Sequence, residues 1–411
     1  MPAIAHPGLK IKHRSNTKGT AMKTTLLFGG PLFDGETLYP DGALLFSKKG
    51  ILGINPQNAT RHAEACIDVQ GSFILPGLVD LHSDTLEKCI EMRPGVLFDQ
   101  EFALRNLDRR LAACGITTFC HALSFGVNEA GLRAPAEAAA LVRTIKKFSA
   151  GGNGLVRHKV HARYEISSIR GPEVIRETLR EGLVDLVSIM DHTPGQGQFK
   201  TLESYRRYYS GSFNLSNEKI DEMARKKREG QADGWRIIDE ITKEIAARGL
   251  PLLSHDDDTP EKIELLQKLK VTASEFPTTA TAAAAAREKG LKVFLGAPNM
   301  VRGGSSNGHL SARDAIQQDL CDGLISDYYP ECLPQSPFIA DRVLGIGLKR
   351  AFCLVTSGPG RFLDAEGSVG FFKPGLPADI TVISDQGPWA EVLQTWVDGT
   401  CIYRGTARLS S

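Results

Sequence analysis

No stretch of this 411-residue chain approaches the roughly 18 consecutive apolar residues that a membrane span requires. Residues 1–21 are polar and basic and lack the apolar segment of a secretory signal. Net charge is nearly missing too: 49 Lys and Arg against 48 Asp and Glu leave +1. Bulk charge therefore cannot drive binding to nucleic acid or to an anionic membrane, and an anionic substrate must be held by a local group of basic residues. The eight cysteines include no C-x-x-C pair. That argues against dithiol redox or zinc-ribbon motifs, and a chain this long can bury a core without disulfides. Reduced, buried thiols, a soluble chain and a cytoplasmic setting are expected.

What is present is a change of pattern along the chain. Short β-prone runs separated by Gly, Pro and Asp open it, at 24–28, 43–46, 51–54 and 66–69. Similar runs close it, at 380–383, 391–397 and 400–403. Neither end has enough strands to bury a face alone. The two are expected to combine into one small β-sandwich, residues 22–72 with 365–411, behind a disordered tail over 1–21.

Between them, over 73–364, apolar strands alternate with helical segments. Candidate strands are 73–82, 116–123, 160–166, 184–192, 251–255, 271–276, 292–297 and 323–327. Eight is the number that closes a parallel barrel, so the fold class is α/β, a (β/α)8 TIM-like barrel. Helices are predicted at 102–114, 235–248 and 279–289, each stopping at or beside a glycine. The polar insertion 193–234 follows the C-terminal end of a strand, where barrel enzymes keep functional loops, and reads as a candidate lid.

The polar residues of metal-binding type in this region share one context: each ends an apolar strand. His82 and Asp84 stand two apart, so both point the same way from extended chain; Glu165, His192, His255 and Asp327 finish four further strands. A barrel gathers its strand C-termini at one rim. Three imidazoles and three carboxylates there form the mixed donor set of two divalent ions, Zn or Mn, with a hydroxide between them as nucleophile. Asp327, expected to touch metal and water, is the candidate for proton transfer. Each residue also has a plainer reading, Glu165 as an ion-paired neighbour of Arg163 and Asp327 as a helix cap. Asp191 and Asp256 are read as carboxylates behind the histidines or as helix caps, and capping is favoured for Asp257 and Asp258. His121 is equally a substrate contact or a packed core histidine, whereas His158 and His161 are placed at a strand's start, at the wrong end of the barrel for chemistry.

Leu75-Pro76-Gly77-Leu78-Val79-Asp80-Leu81-His82 resembles the opening barrel strand of the amidohydrolase superfamily. More narrowly, the chain resembles the α-D-ribose 1-methylphosphonate 5-triphosphate diphosphatase family of phosphonate catabolism in the carbon–phosphorus lyase pathway. The matching residues are His82-Ser83-Asp84, Leu86-Glu87-Lys88, Arg93-Pro94-Gly95-Val96, Asp191 to Phe199, and Ser254-His255-Asp256-Asp257. They continue with Glu275-Phe276-Pro277-Thr278-Thr279, Gly296-Ala297-Pro298-Asn299, Val301-Arg302-Gly303-Gly304-Ser305 and Ser326-Asp327-Tyr328. Together they span roughly 22–405.

The resemblance implies hydrolysis of a ribose 5-triphosphate to the 5-phosphate and pyrophosphate, with a phosphorylated sugar as substrate. Such a substrate needs positive charge and amide donors; Arg302 with Gly303 and Gly304, in the glycine loop after the 292–297 strand, are the first candidates, and Arg93 and Lys200 weaker ones. The superfamily pattern puts metal ligands on strands one, four, five, six and eight. Counting here puts Glu165, His192 and His255 on three, four and five, so a shifted strand boundary is expected near 126–152. His82-x-Asp84 replaces the superfamily's commoner His-x-His, and His121 stands where the narrower family has an acidic residue. Two other readings stay open: a C–N hydrolase, deaminase or cyclic amidohydrolase, on the same metals, and a non-catalytic barrel scaffold. The sequence leaves homo-oligomerisation open.

Overall fold

The computed structural model describes residues 11–13, 23–126, 131–168, 171–195, 197, 201–213, 216–305, 308–364 and 366–405. Eight parallel strands follow one another around a barrel: Leu78–Ser83, Ile116–Phe125, Arg157–Glu165, Leu186–Met190, Leu252–His255, Ala273–Glu275, Lys292–Gly296 and Gly323–Ile325. The last meets the first through a parallel bridge between Ser83 and Asp327, where Asp84 N–H donates to Asp327 O at 2.7 Å and Asp327 N–H to His82 O at 2.9 Å. All eight expected strands are present, and no boundary shifts near 126–152, where the Pro135–Ala150 helix stands among the described residues.

Strand alternation divides the barrel into two cores. Val79, Leu81, Cys120, Leu186, Leu253, Ala273, Phe294 and Ile325 cluster inside, with Phe362 and Leu363 of the Ser357–Leu363 helix packed against them. Their neighbours in sequence, such as Phe119, Leu123, Val187, Leu252 and Val293, face outward against the helices. On the third strand Ala162 and Tyr164 belong to that outer core, as does Ile166 just beyond it, which leaves His161, Arg163 and Glu165 on the inner face.

A nine-stranded sheet combines both ends of the chain, Thr25–Phe33 to Phe73–Pro76 with Ile380–Asp385, Ala390–Val397 and Thr400–Arg404. Its core joins the two halves: the Phe46 and Trp396 rings meet edge to face at 5.1 Å. The strand expected over 73–82 is two strands. Phe73–Pro76 pairs antiparallel with Ile380–Asp385 in this sheet, and Leu78–Ser83 opens the barrel. The chain crosses between them at Gly77, where a Cβ would lie 2.1 Å from Thr117 Oγ1, so no side chain fits. On this pairing we propose that the unit boundary falls at Gly77 rather than at 72.

Of the tail expected to be disordered, Ile11–His13 pairs antiparallel with Ala65–Asp68, and the rest lies outside the described residues. The insertion over 193–234 is largely helical, Leu202–Phe213 and then Asn217–Ala247, so the helix expected at 235–248 begins much earlier. No helix among the described residues is long and apolar enough to cross a membrane. All eight cysteines are unpaired; Cys114, Cys120, Cys321 and Cys332 are buried and the others half-buried.

Candidate active site

The inner face of the barrel changes from apolar to polar toward the strand C-termini. On the first strand the pairing with the second is irregular between Asp80 and Ser83, and past that irregularity His82 turns inward. Its Nδ1 lies 2.8 Å from Glu275 Oε2, and Glu275 Oε1 lies 3.6 Å from His161 Nε2. These three residues form one compact group of metal-type donors, all buried. A second comprises His192, His255 and Asp256, with Asp256 Oδ2 at 3.0 Å from His255 Nδ1 and 3.7 Å from His192 Nε2. The His82 and His255 rings, 5.4 Å apart, join the groups.

Three residues just past strand ends adopt left-handed backbone: Asp256 (φ 55), Phe276 (φ 54) and Asp327 (φ 59). Such conformations are strained for non-glycine residues and gather at functional sites. At Asp256 the turn leaves the carboxylate beside His192 and His255 instead of continuing the strand.

Of the six residues expected to hold metal, His82, His192 and His255 belong to these groups. Glu165 stands behind His192 instead: its Oε2 accepts the Nδ1–H at 2.7 Å, its Oε1 accepts the Ser167 hydroxyl at 2.7 Å, and Lys227 lies 3.7 Å away. It makes no ion pair with Arg163 among the described residues. Asp84 and Asp327 are joined by the backbone bridge that closes the barrel, and Arg133 and Lys88 approach Asp84 at 3.1 and 3.5 Å. Glu275, His161 and Asp256 are the residues the strand-end rule missed. His161 does not lie at the wrong end, because the third strand starts at Arg157 and leaves it mid-strand and inward.

His121 faces away from this site. It is fully buried in the outer core, with Nε2 2.8 Å from His158 Nδ1, while His158 Nε2 lies 3.0 Å from Asp108 Oδ1. Asp257 caps no helix: it accepts hydroxyls from Ser254 and Ser274 and pairs with Lys262 at 3.2 Å. Asp258 caps none either and accepts the Gly197 N–H at 2.8 Å, while Thr259 caps the Pro260–Lys268 helix. Asp191 accepts Gln231 Nε2 at 2.9 Å from the long Asn217–Ala247 helix.

The polyphosphate candidates lie outside the two donor groups. Arg302 ends the short Ala297–Arg302 helix, which Gly303 stops in the left-handed region (φ 91). A Cβ there would lie 3.0 Å from the Arg313 guanidinium, which bonds the helix's last carbonyls, so this glycine serves the turn. Gly304 has open space around it. Arg93 sits on an exposed hairpin, Glu91–Arg93 with Val96–Leu97, and Lys200 lies outside the described residues.

The donor chemistry fits divalent cations. His161 Nε2, Glu275 Oε1, His255 Nδ1, Asp256 Oδ2 and Asp84 Oδ1 are buried without a hydrogen bond, an arrangement costly to leave unfilled. Burial and the nearby Arg163 charge hold His82 well below the usual histidine range, and burial lowers His161 to about 3, so both imidazoles are neutral, the form that ligates. His192 differs: burial lowers it, but the Glu165 charge and hydrogen bonds to Glu165 and Asp256 prevail and raise it. Burial also opposes the Glu165 charge, but Lys227 and His192 prevail and bring it to about 2. Burial and the neighbouring Asp84 charge push Asp327 up to about 7.

No protein-family model matches the chain. A relative, the α-D-ribose 1-methylphosphonate 5-triphosphate diphosphatase of Escherichia coli (strain K12), is 32% identical over 352 residues, 84% of this chain and 92% of its own. The chain belongs to this diphosphatase family. Solved structures share its fold. An N-acetyl-D-glucosamine-6-phosphate deacetylase from Mycobacterium smegmatis is similar at TM-score 0.62 and 15% identity, covering 92% of this chain and 100% of that one. A prolidase solved with N-methylphosphonate-L-proline gives TM-score 0.61 and 16% identity, over 93% and 100%. At such identities the likeness shows the barrel and its flanking sheet alone. Family membership makes this chain a hydrolytic enzyme, and the donor groups at the barrel mouth are where a metal-dependent member would hold its cations.

Proposed function

We propose that this protein hydrolyses α-D-ribose 1-methylphosphonate 5-triphosphate to the 5-phosphate and pyrophosphate, using two divalent cations, zinc or manganese. The observation that carries the reading is the joining of two buried donor groups, His82–His161–Glu275 and His192–His255–Asp256, in a member of the diphosphatase family. Asp84 and Asp327 complete the ligand set at the barrel seam. Bound cations would supply an acidified water and neutralise charge on the attacked phosphoryl group.

The chain's own residues do the rest. Glu165 fixes the His192 imidazole through Nδ1, and Lys227 balances the Glu165 charge. Asp327, at the seam where the last strand meets the first, is the carboxylate that would accept a proton from water and pass it to the leaving group. The Asn217–Ala247 helix covers the mouth by way of Lys227 and Gln231 and limits access of bulk water. Arg302 and Gly304 remain candidates for the outer phosphates. Eight unpaired cysteines and a phosphorylated sugar substrate favour the cytoplasm.

The test is to offer metal-loaded protein a panel of ribose 5-triphosphates and cyclic amides and to measure pyrophosphate and ammonia separately. Pyrophosphate release from the ribose triphosphates alone is expected. Ammonia without pyrophosphate would replace this reading with a C–N hydrolase.

A further inference from the structure

Among the described residues, one buried cation of the barrel interior makes no ion pair. Arg163 lies between His161 and Glu165 on the inward face of the third strand and is 7% exposed. Its Nη2 lies 3.2 Å from His255 Nε2, and its Nε is buried without a hydrogen bond. Among the described residues no carboxylate comes within ion-pair distance of it. The other buried or half-buried cations near the site are each matched: Lys227 by Glu165 at 3.7 Å, Lys262 by Asp257 at 3.2 Å, and Arg133 by Asp84 at 3.1 Å and Glu87 at 2.7 Å.

A guanidinium cannot escape burial by losing its proton, and an imidazole supplies no negative charge to cancel it. Such a group belongs where an anion arrives. Its planar fork of donors matches two oxygens of one phosphoryl group. Its charge also reaches His82, Asp84 and Asp327, so an anion on Arg163 would stand beside the candidate cation site. Position favours it over the surface candidates, because Arg163 is fixed on a barrel strand whereas Arg93 sits on an exposed hairpin.

We propose that Arg163 is the internal anchor for the substrate's polyphosphate, binding phosphoryl oxygens next to the cations. The proposal rests on the diphosphatase reading and names the residue that would select an anionic over a neutral substrate.

Inorganic pyrophosphate is the probe, since it carries the phosphoryl groups without the sugar. Its affinity for manganese-loaded protein is measured by calorimetry for the wild type, Arg163→Met and Arg163→Lys, with metal content from elemental analysis and folding from circular dichroism. The expected result is a loss of roughly 30-fold or more in Arg163→Met, partial recovery in Arg163→Lys and unchanged metal content. Pyrophosphate affinity equal to wild type in a folded variant overturns the proposal. So does a loss of affinity that saturating manganese fully restores, because Arg163 would then act only through the cation site. If Arg163→Met does not fold, Arg163→Lys decides, with about a 10-fold loss expected from replacing a fork by a point charge. A wild type that binds pyrophosphate through Arg163 but releases none from ribose triphosphates would keep the anchor and remove the diphosphatase reading.

Discussion

Glu165 grips His192 with both carboxylate oxygens, Oε2 accepting the imidazole Nδ1–H at 2.7 Å and Oε1 the backbone N–H at 3.3 Å. A carboxylate of this kind only accepts, so the proton sits on Nδ1 and Nε2 turns toward Asp256. The expected consequence of Glu165→Ala is a folded protein whose divalent-metal affinity falls about 10- to 100-fold, because the imidazole loses its fixed tautomer and orientation. Chelator competition measures it. Affinity unchanged from wild type would show that Glu165 does not orient His192.

Two buried histidines on neighbouring strands separate the site from the core. His161 faces Glu275 inside the barrel, and His121 faces His158 outside it. His161→Ala is expected to lower metal content sharply while the fold survives. His121→Ala is expected to leave metal content alone and to cost about 2–4 kcal/mol of stability, since it empties a packed site and strips His158 Nδ1 of its partner. Elemental analysis with urea denaturation of both variants settles the assignment; metal lost from His121→Ala would reverse it.

These two histidines also mark how far the sequence could be read. The eight strands were legible as short apolar runs between turn signals, and the strand-end rule picked out His82, His192 and His255, which the structure brings into the two donor groups. It missed His161 because the strand begins at Arg157, although alternation with Ala162, Tyr164 and Ile166 marks the inward set His161, Arg163, Glu165. Glu275 closes the Ala273–Glu275 strand within the run read as 271–276, and Asp256 owes its position to a left-handed turn no periodicity reveals. The long helix hid for a related reason. Residues 220, 224, 227, 231, 234, 238, 241 and 245 form one stripe at helical spacing, but Lys227 and Gln231 interrupt its apolar character. They are polar because they face Glu165 and Asp191.

Asp80 predicts a pH effect on the metal-free protein. It is fully buried, its Oδ1 accepts the N–H of Ser326 at 3.0 Å and of His82 at 3.3 Å, and its Oδ2 has no hydrogen bond. Burial pushes its carboxyl from 3.8 up to about 6, against the pull of those donors. With the folded value raised, the native state holds the proton more tightly than the unfolded chain does. The stabilisation is complete below about pH 4 and is lost as pH rises through about 6, a loss of about 3 kcal/mol by the neutral range. Asp80→Asn keeps an acceptor and removes the titration, so its stability should fall less than that of wild type between about pH 4 and about pH 7. Equal slopes in urea melts would exclude Asp80 as the source.

Gly234 fixes how closely the long helix approaches the third strand. A Cβ there would lie 2.2 Å from the carbonyl oxygen of Ile166, the residue after Glu165, so the backbones meet with no room for a side chain. Gly234→Ala must push the helix outward and draw Lys227 from Glu165 and Gln231 from Asp191. The expected cost is about 2–3 kcal/mol, with weaker substrate binding as the mouth loses its cover. Gly230, one turn earlier in the same helix, is the control: its nearest neighbour would be Ser167 O at 3.7 Å, an ordinary contact. There alanine should stabilise by up to about 1 kcal/mol through helix propensity alone. Thermal melts and steady-state kinetics on the two variants test the pair, and identical behaviour would mean that this close approach does not hold the helix over the site.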